Sequence, residues 1–258
     1  MKSLKKLINY LFIVLFWFGV WELSALAVNQ ELYLPTPAAV MRCLLTLIIT
    51  SEFWISLGTS IFRVVLGILV SIILGVLIAV LTSRSKALHG LLYPMITIIK
   101  ATPVASFIIL AIIWLGASKL PVFICALMVF PIVWAAISDG IAAIDKKHEE
   151  LAKVFGFSFG KRLRYIYVPT IAPYFLSACK TSIGLAWKAG VAAEVLAVSP
   201  TSIGKHLFNA KTYYEVPELF SWTITVIVLS LIIEFFVTKL LKAVERKYVH
   251  ERDYADIK

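Results

Sequence analysis

Long apolar runs constrain this chain more than any other feature of its sequence. The six runs are 8–28, 57–82, 88–115, 120–138, 170–198 and 220–241. A helix needs about 20 mostly apolar residues to cross the hydrocarbon core of a bilayer. Strands of a membrane barrel alternate between polar and apolar residues over about 10 residues, and these runs do not alternate. The sequence therefore predicts an all-α membrane protein with about six transmembrane helices.

Lys and Arg residues are concentrated on one side of these spans. If both termini are cytoplasmic, the inside segments carry 17 Lys and Arg in total, and the outside segments carry 4. The inside segments are the N-terminus, 82–90, 145–168 and the tail from 239; the outside segments are 29–57, 116–121 and 198–219. Cytoplasmic loops of membrane proteins show this excess. The net charge of +10 is thus explained by topology, and nucleic-acid binding is not needed to explain it.

The first run is expected to be a retained span. A cleaved signal peptide has a core of roughly 7–15 apolar residues, whereas 8–28 is longer and contains Trp17, Trp21 and Glu22. After it, Pro35 and Pro37 break the chain before a short apolar stretch. That stretch predicts an interfacial or partly embedded helix on the outer side.

Small residues recur along the second span, 57–82. They are Gly58, Ser60, Gly67, Ser71 and Gly75. Small side chains allow helices to approach closely in lipid, where packing drives association. We expect this span to pack in the core of the bundle.

The third span, 88–115, is interrupted by Pro94, Lys100 and Pro103. Unpaired backbone groups and a charged side chain at membrane depth need shelter by protein or water. The segment is therefore predicted to line the interior and to bend near Thr102. The alternative is a kinked helix that faces lipid.

The fifth span, 170–198, carries Lys180, Lys188 and Glu194. Ionisable residues within spans are functional candidates by default. Lys188 and Glu194 are six residues apart, on different helix faces, so they do not form a simple pair with each other. Two interpretations stay open for them, a role in the solute path or its gate and structural pairing with other helices. Lys180 lies close enough to the cytoplasmic end to extend its amine to the interface.

Catalytic and nucleotide-binding motifs are missing from the sequence. No G-x-x-x-x-G-K-[ST] phosphate loop, H-E-x-x-H zinc motif or G-x-S-x-G nucleophile motif occurs. The four histidines fall in different loops of the predicted topology. We therefore expect a chain that is not an enzyme and binds no metal or cofactor itself.

The charged stretch 145–168 lies on the cytoplasmic side between spans four and five. Residues 149–155 predict a short amphipathic helix in which Leu151, Val154 and Phe155 share one side and Glu149 pairs with Lys153. Gly156 can end this helix because it tolerates positive φ, and Pro169 suits the first turn of the next span. The pattern predicts a rigid bent protrusion; an ordinary basic loop is the simpler alternative.

This stretch resembles the "EAA" motif of permease subunits of bacterial ABC importers. The matching residues are Glu150, Leu151, Ala152, Gly156, Ile166 and Pro169, with Leu151 and Val168 in place of the usual Ala and Leu. The segments "LPTPAAV" (34–40), "SIFRVVLGI" (60–68), "KATPVASFIILAIIWLG" (100–116) and "GLAWKAGVAAEVL" (184–196) are similar to the nitrate/sulfonate/taurine-type branch. Lys100 stands where that branch often has Arg.

The resemblance implies a type I ABC importer fold in which the EAA residues form a coupling helix that contacts an ATPase subunit. Two copies of the chain, two ATPases that bind ATP and Mg²⁺, and an extracellular solute-binding protein are implied as partners, in a bacterial plasma membrane. The domains would be 1–56, an N-terminal span with the outer segment; 57–242, the core permease domain; and 243–258, a cytoplasmic tail. Candidates for the path or gate are Lys100, Pro103, Lys188 and Glu194.

Two other kinds of transporter agree less well with the sequence. The scaffold of an energy-coupling-factor transporter would carry two long coupling helices with Ala-Arg-Gly motifs, and the sequence has none. An ion-driven secondary transporter would be expected to show an internal inverted repeat, and none is visible. Substrates of the branch range from small oxyanions and sulfonates to vitamin precursors, so the sequence suggests a small, possibly anionic solute.

Overall fold

The computed structural model describes the backbone of residues 2–255 and the side chains of residues 11–244. Its helices are α1 Lys2–Val28, α2 Pro37–Ile48, α3 Ser51–Arg84, α4 Lys86–Ala101, α5 Val104–Ala142, α6 Lys146–Val154, α7 Phe159–Arg162, α8 Val168–Ala197, α9 Ile203–Thr212 and α10 Val216–Ala255, with a π-helical turn, Leu163–Tyr167, between α7 and α8. The predicted all-α class is confirmed. The N-terminal lysines and the end of the predicted tail lie outside the described side chains.

The helices account for the predicted spans. Within the described residues, α1, α3, α5 and α10 are each long and apolar enough to cross a membrane. The 39-residue α5 contains a break at Gly116, where φ is 67° and ψ is 166°, a conformation essentially restricted to glycine. The residues of α5 before the break continue the transmembrane span that α4 begins, and the residues of α5 after the break form the next span. The 30-residue α8 corresponds to the charged fifth span.

The core forms where α5 packs between α3 and α8. A Cβ on Gly67 would lie 2.5 Å from the Cys125 Cβ, and one on Gly75 would lie 2.8 Å from the Val133 Cγ1. These two glycines therefore let α3 and α5 approach closely, as the sequence predicted. Gly58 has open space around its Cα, so the prediction of close packing does not hold there.

The third span bends near Thr102, as predicted. Helix α4 ends at Ala101, and Thr102 adopts an extended conformation with ψ of 132°. Pro103 precedes the first residue of α5, which restarts the helix at Val104. The residue before a proline is disfavoured in the helical region, so the Thr-Pro pair accounts for the bend.

The segment after α1 forms the expected short helix. Thr36 caps α2 by accepting a hydrogen bond from the Ala39 N–H at 3.2 Å, and Pro37 occupies its first turn. The Trp21 indole of α1 donates to the Pro35 carbonyl at 3.0 Å. The Ser221 hydroxyl of α10 donates to the Val40 carbonyl at 3.1 Å. These bonds join α1, α2 and α10 at one end of the bundle.

Candidate coupling surface and solute path

The charged stretch 145–168, the predicted coupling loop, begins with the well-capped helix α6, which ends in a sharp bend. The Asp145 carboxylate accepts a hydrogen bond from the Lys147 N–H at 2.9 Å and caps α6. At the other end Gly156 has φ of 61°. The Phe157 N–H donates to the Ala152 carbonyl at 2.8 Å, and the Gly156 N–H donates to the Lys153 carbonyl at 3.1 Å. These two bonds form a Schellman motif, which needs a residue at positive φ and so favours glycine.

Two side-chain bonds fix the chain after the bend, and one of them joins it to α6. The Tyr167 hydroxyl donates to the Glu149 carboxylate at 2.7 Å. This bond raises the pKa of Tyr167, so the phenol stays protonated as a donor. The Arg162 Nε donates to the Phe157 carbonyl at 3.0 Å. The predicted ion pair between Glu149 and Lys153 is wrong, because no such contact within 4.0 Å occurs among the described side chains and Tyr167 bonds the carboxylate instead.

The bend leaves apolar side chains on the surface of the loop. Leu151, Val154 and Phe155 are exposed, with exposed fractions of 52%, 82% and 71%. Of the other motif residues, Glu150 and Gly156 are exposed, Ile166 and Pro169 are half-buried, and Ala152 is buried. A rigid loop with exposed apolar side chains beside a carboxylate is suited to contact another protein.

Glu194 lies in a buried polar network at the end of α8. Its side chain is fully buried. The Ser60 hydroxyl donates to Oε2 at 2.7 Å, and the Arg63 Nη1 lies 3.3 Å from Oε1. The Gly204 N–H, in the first turn of α9, also points to Oε2 at 3.4 Å. One carboxylate therefore connects α3, α8 and α9.

The network extends into the turn between α8 and α9. The Arg63 Nη2 donates to the Pro200 carbonyl at 2.9 Å. The Ser199 hydroxyl donates to the Ala117 carbonyl at 2.7 Å, next to the break in α5. The Ser202 hydroxyl accepts from the Lys205 N–H at 3.0 Å and caps α9. The turn is thus fixed to both α3 and α5.

Of the two interpretations of Glu194, this geometry favours structural pairing, and the partner is Arg63. The sequence analysis named Ser60 only as a small packing residue, and it did not single out Arg63. A signal was present, because an arginine inside an apolar span needs a counter-charge. Which carboxylate supplies that charge depends on how the helices pack, since Arg63 and Glu194 are 131 residues apart.

The candidate lysines of the path are not part of this network. Lys188 is exposed on α8, whereas the adjacent Trp187 is buried. Lys100 is exposed one residue before the end of α4, and Pro103 is exposed just after it. No carboxylate of the described side chains lies within 4.0 Å of Lys100 or Lys188. The structure thus separates these two lysines from Glu194.

His206 of α9 lies beside the network. Its ring stacks on Trp222 with centroids 4.5 Å apart, and its Nε2 is 3.0 Å from the Ser56 hydroxyl. Burial lowers the pKa of His206, although Glu52 acts in the opposite direction. The 3.7 Å contact between His206 and Glu52 is therefore mainly between a neutral imidazole and a carboxylate at neutral pH. Among the described residues, the His, Cys, Asp and Glu side chains form no group of three that could hold a metal ion.

Comparison with known proteins identifies the class of transporter. Residues 67–250 match the family described as the binding-protein-dependent transport system inner membrane component. The chain is 27% identical to SsuC, an aliphatic sulfonates transport permease of Bacillus subtilis (strain 168), over 91% of this chain and 84% of SsuC. It is 24% identical to TauC, the taurine transport system permease of Escherichia coli (strain K12), over 69% of this chain and 67% of TauC.

A solved structure shows the same fold. The chain matches a chain of a bacterial alginate ABC transporter, crystallised with an alginate pentasaccharide-bound periplasmic protein, with a TM-score of 0.64 and 15% identity. The match covers 94% of this chain and 97% of that chain.

These findings define a multi-pass permease subunit of an ABC importer, which works with a binding protein and an ATPase and is a transport subunit, not an enzyme. The chain belongs to the binding-protein-dependent transport system inner membrane component family.

Proposed function

We propose that two copies of this chain form the path of an importer for a small solute, and that lysines in its spans favour a solute with an anionic group. The solute class is that of sulfonates, nitrate, taurine or vitamin precursors, delivered by an extracellular binding protein. The similarity to SsuC and TauC supports this class. ATP and Mg²⁺ bind to a separate ATPase, and the chain itself binds neither.

The coupling loop is the observation that carries the proposal. Its Schellman bend and the Tyr167–Glu149 bond support a protrusion that transmits movement as one unit. The exposed Leu151, Val154 and Phe155 provide an apolar contact surface for the ATPase. Because the described chain has one such loop, two permease subunits are needed to engage two ATPases, and we assign the second to another copy of this chain.

The unpaired lysines support an anionic solute. A lysine within a span is costly unless it meets water, an acid or a solute, with an insertion cost of about 2.5–3.5 kcal/mol at the centre of the bilayer. Lys188 and Lys100 have no carboxylate partner among the described side chains. We assign Lys188 to the path and Lys100 to the gate beside the bend at Pro103.

The orientation follows from the charge bias, with both termini in the cytoplasm. A single cysteine replacing the exposed Ser158 of the coupling loop should react with a membrane-impermeant thiol reagent only from the cytoplasmic side. A cysteine replacing the exposed Thr212 of α9 should react only from outside. The reverse pattern would contradict the proposed orientation.

Reconstitution with a matching ATPase and binding protein tests the function. We expect uptake of a sulfonate or taurine that requires ATP, and ATP hydrolysis that rises when the loaded binding protein is added. Glu150→Lys should still insert and assemble but should reduce both activities, because it reverses a charge on the coupling surface. Uptake driven by an ion gradient without the ATPase would instead indicate a secondary transporter.

A further inference from the structure

An elongated groove with a volume of about 740 Å³ lies between α3, α4 and α5. On α3 it is lined by apolar side chains four residues apart, which follow one face of the helix. They are Phe62, Leu66, Val70, Leu74 and Ile78. The facing walls are also apolar and include Ile99 of α4 and Val122 and Phe130 of α5. The groove thus follows the axis of α3 through most of a span.

The apolar part of the groove has the length of one lipid acyl chain. From Leu66 to Ile78 the helix rises about 18 Å at 1.5 Å per residue. One leaflet contributes about 15 Å to the hydrocarbon core of a bilayer. An acyl chain lying along this face would therefore reach about the middle of the membrane.

The end of the groove beyond Phe62 is polar and basic. Its lining there includes Thr59, Arg63, Ser118 and Lys119. Arg63 is already bound to Glu194 and to the turn after α8. Lys119 is exposed, and no carboxylate of the described side chains lies within 4.0 Å of it. The available cation at this end is therefore Lys119.

Lys119 follows the Gly116 break, on the side of the membrane assigned to the outside. Lys and Arg are scarce on that side, with only 4 in the three outside segments, as the positive-inside bias predicts. This lysine lies at headgroup level, next to two hydroxyls and a groove as long as an acyl chain. Such an arrangement is suited to bind an anionic molecule with an apolar tail.

We propose that this groove binds one anionic phospholipid of the outer leaflet. Its phosphate contacts Lys119, Ser118 and Thr59, and an acyl chain lies along the α3 face from Leu66 to Ile78. A polar solute does not fit the groove, because most of its length would leave the solute's polar groups without hydrogen-bond partners. The lipid site is therefore distinct from the proposed solute path at Lys188.

Native mass spectrometry of the purified full chain tests the proposal with phosphatidylglycerol and phosphatidylethanolamine of identical acyl chains. We expect phosphatidylglycerol to be retained preferentially. Lys119→Gln should lower its retention about fivefold, since one lysine near an anionic headgroup contributes roughly that factor. Lys211→Gln removes another exposed lysine, at the end of α9 and outside the groove, and should leave retention unchanged.

A second variant separates the groove from a simple surface charge. Leu74→Trp should fill the apolar part and reduce retention of both lipids, with Lys119 still present. Equal retention of the two lipids by the wild-type chain, or unchanged retention in Lys119→Gln or Leu74→Trp, would overturn the proposal. So would efficient disulfide cross-linking of a single cysteine at position 74 between two copies, because a second copy would then cover the groove.

Discussion

Breaking the buried pair between Arg63 and Glu194 should destabilise the end of the bundle that contains the turn between α8 and α9. Arg63→Met removes the donor 3.3 Å from Oε1 and the bond to the Pro200 carbonyl at 2.9 Å. The carboxylate keeps the Ser60 hydroxyl and the Gly204 N–H on Oε2 but remains fully buried. Removing one partner of a buried ion pair costs about 3–5 kcal/mol. Because Oε2 stays bonded, we expect a cost of about 3 kcal/mol, at the lower end of that range.

The thermal midpoint of the purified protein in detergent measures this cost. A loss of about 3 kcal/mol corresponds to a fall of roughly 6–12 °C for a chain of this size. Glu194→Gln keeps an acceptor for Ser60 and Gly204 but removes the charge. The double variant Arg63→Met/Glu194→Gln should therefore be more stable than Arg63→Met alone, with a coupling of about 1–3 kcal/mol.

Arg42→Met is the matched control, because Arg42 is an exposed arginine on α2. Its midpoint should equal that of the wild-type protein. An unchanged midpoint in Arg63→Met, or a double variant no more stable than Arg63→Met, would show that the pair does not stabilise the fold and would refute the reasoning.

Three further predictions concern packing, coupling and the path. Gly75→Leu should lower the thermal midpoint, because its side chain would meet Val133 where a Cβ already lies 2.8 Å away and overpacking costs about 1–3 kcal/mol; an unchanged midpoint would contradict the close approach of α3 and α5. Gly156→Val should insert normally but uncouple ATP hydrolysis from uptake, because a β-branched residue resists a φ of 61°; normal coupling in reconstituted vesicles would argue against a rigid bend. Lys188→Met should keep the thermal midpoint and reduce uptake if the lysine meets the solute, whereas a lower midpoint with normal uptake would indicate structural pairing.

The bends of this chain were predictable because local chemistry produces them. Pro103 disfavours a helical Thr102, and Gly156 permits the positive φ that ends α6. The break at Gly116 lies at the predicted boundary between spans three and four for the same reason. The family could be recognised from the spacing of the 145–168 stretch together with four other segments, and the family match across 67–250 confirms that recognition.

Side-chain partners were much harder to predict. Glu149 was assigned to Lys153 by helical spacing, yet it bonds Tyr167, which is 18 residues away. An exposed pair at i, i+4 contributes only about 0.2–0.5 kcal/mol, so a hydrogen bond that joins two elements readily replaces it. For Lys188 and Glu194, pairing with other helices was one of two open interpretations. In the structure Glu194 pairs with Arg63, whereas no carboxylate of the described side chains lies within 4.0 Å of Lys188.

The sequence by itself determined the helical class and the approximate spans, and it predicted their sidedness and the position of the coupling loop. Each of these depends on the transfer of a segment between water and lipid, on charge count or on local backbone preference, and such properties can be read along the chain. Only the tertiary structure decided that Glu194 joins α3, α8 and α9, that Lys100 and Lys188 lie apart from it, and that Lys119 ends an apolar groove. Those relations depend on the rotation and packing of helices that are far apart in sequence, where small residues such as Gly67 and Gly75 set which faces meet.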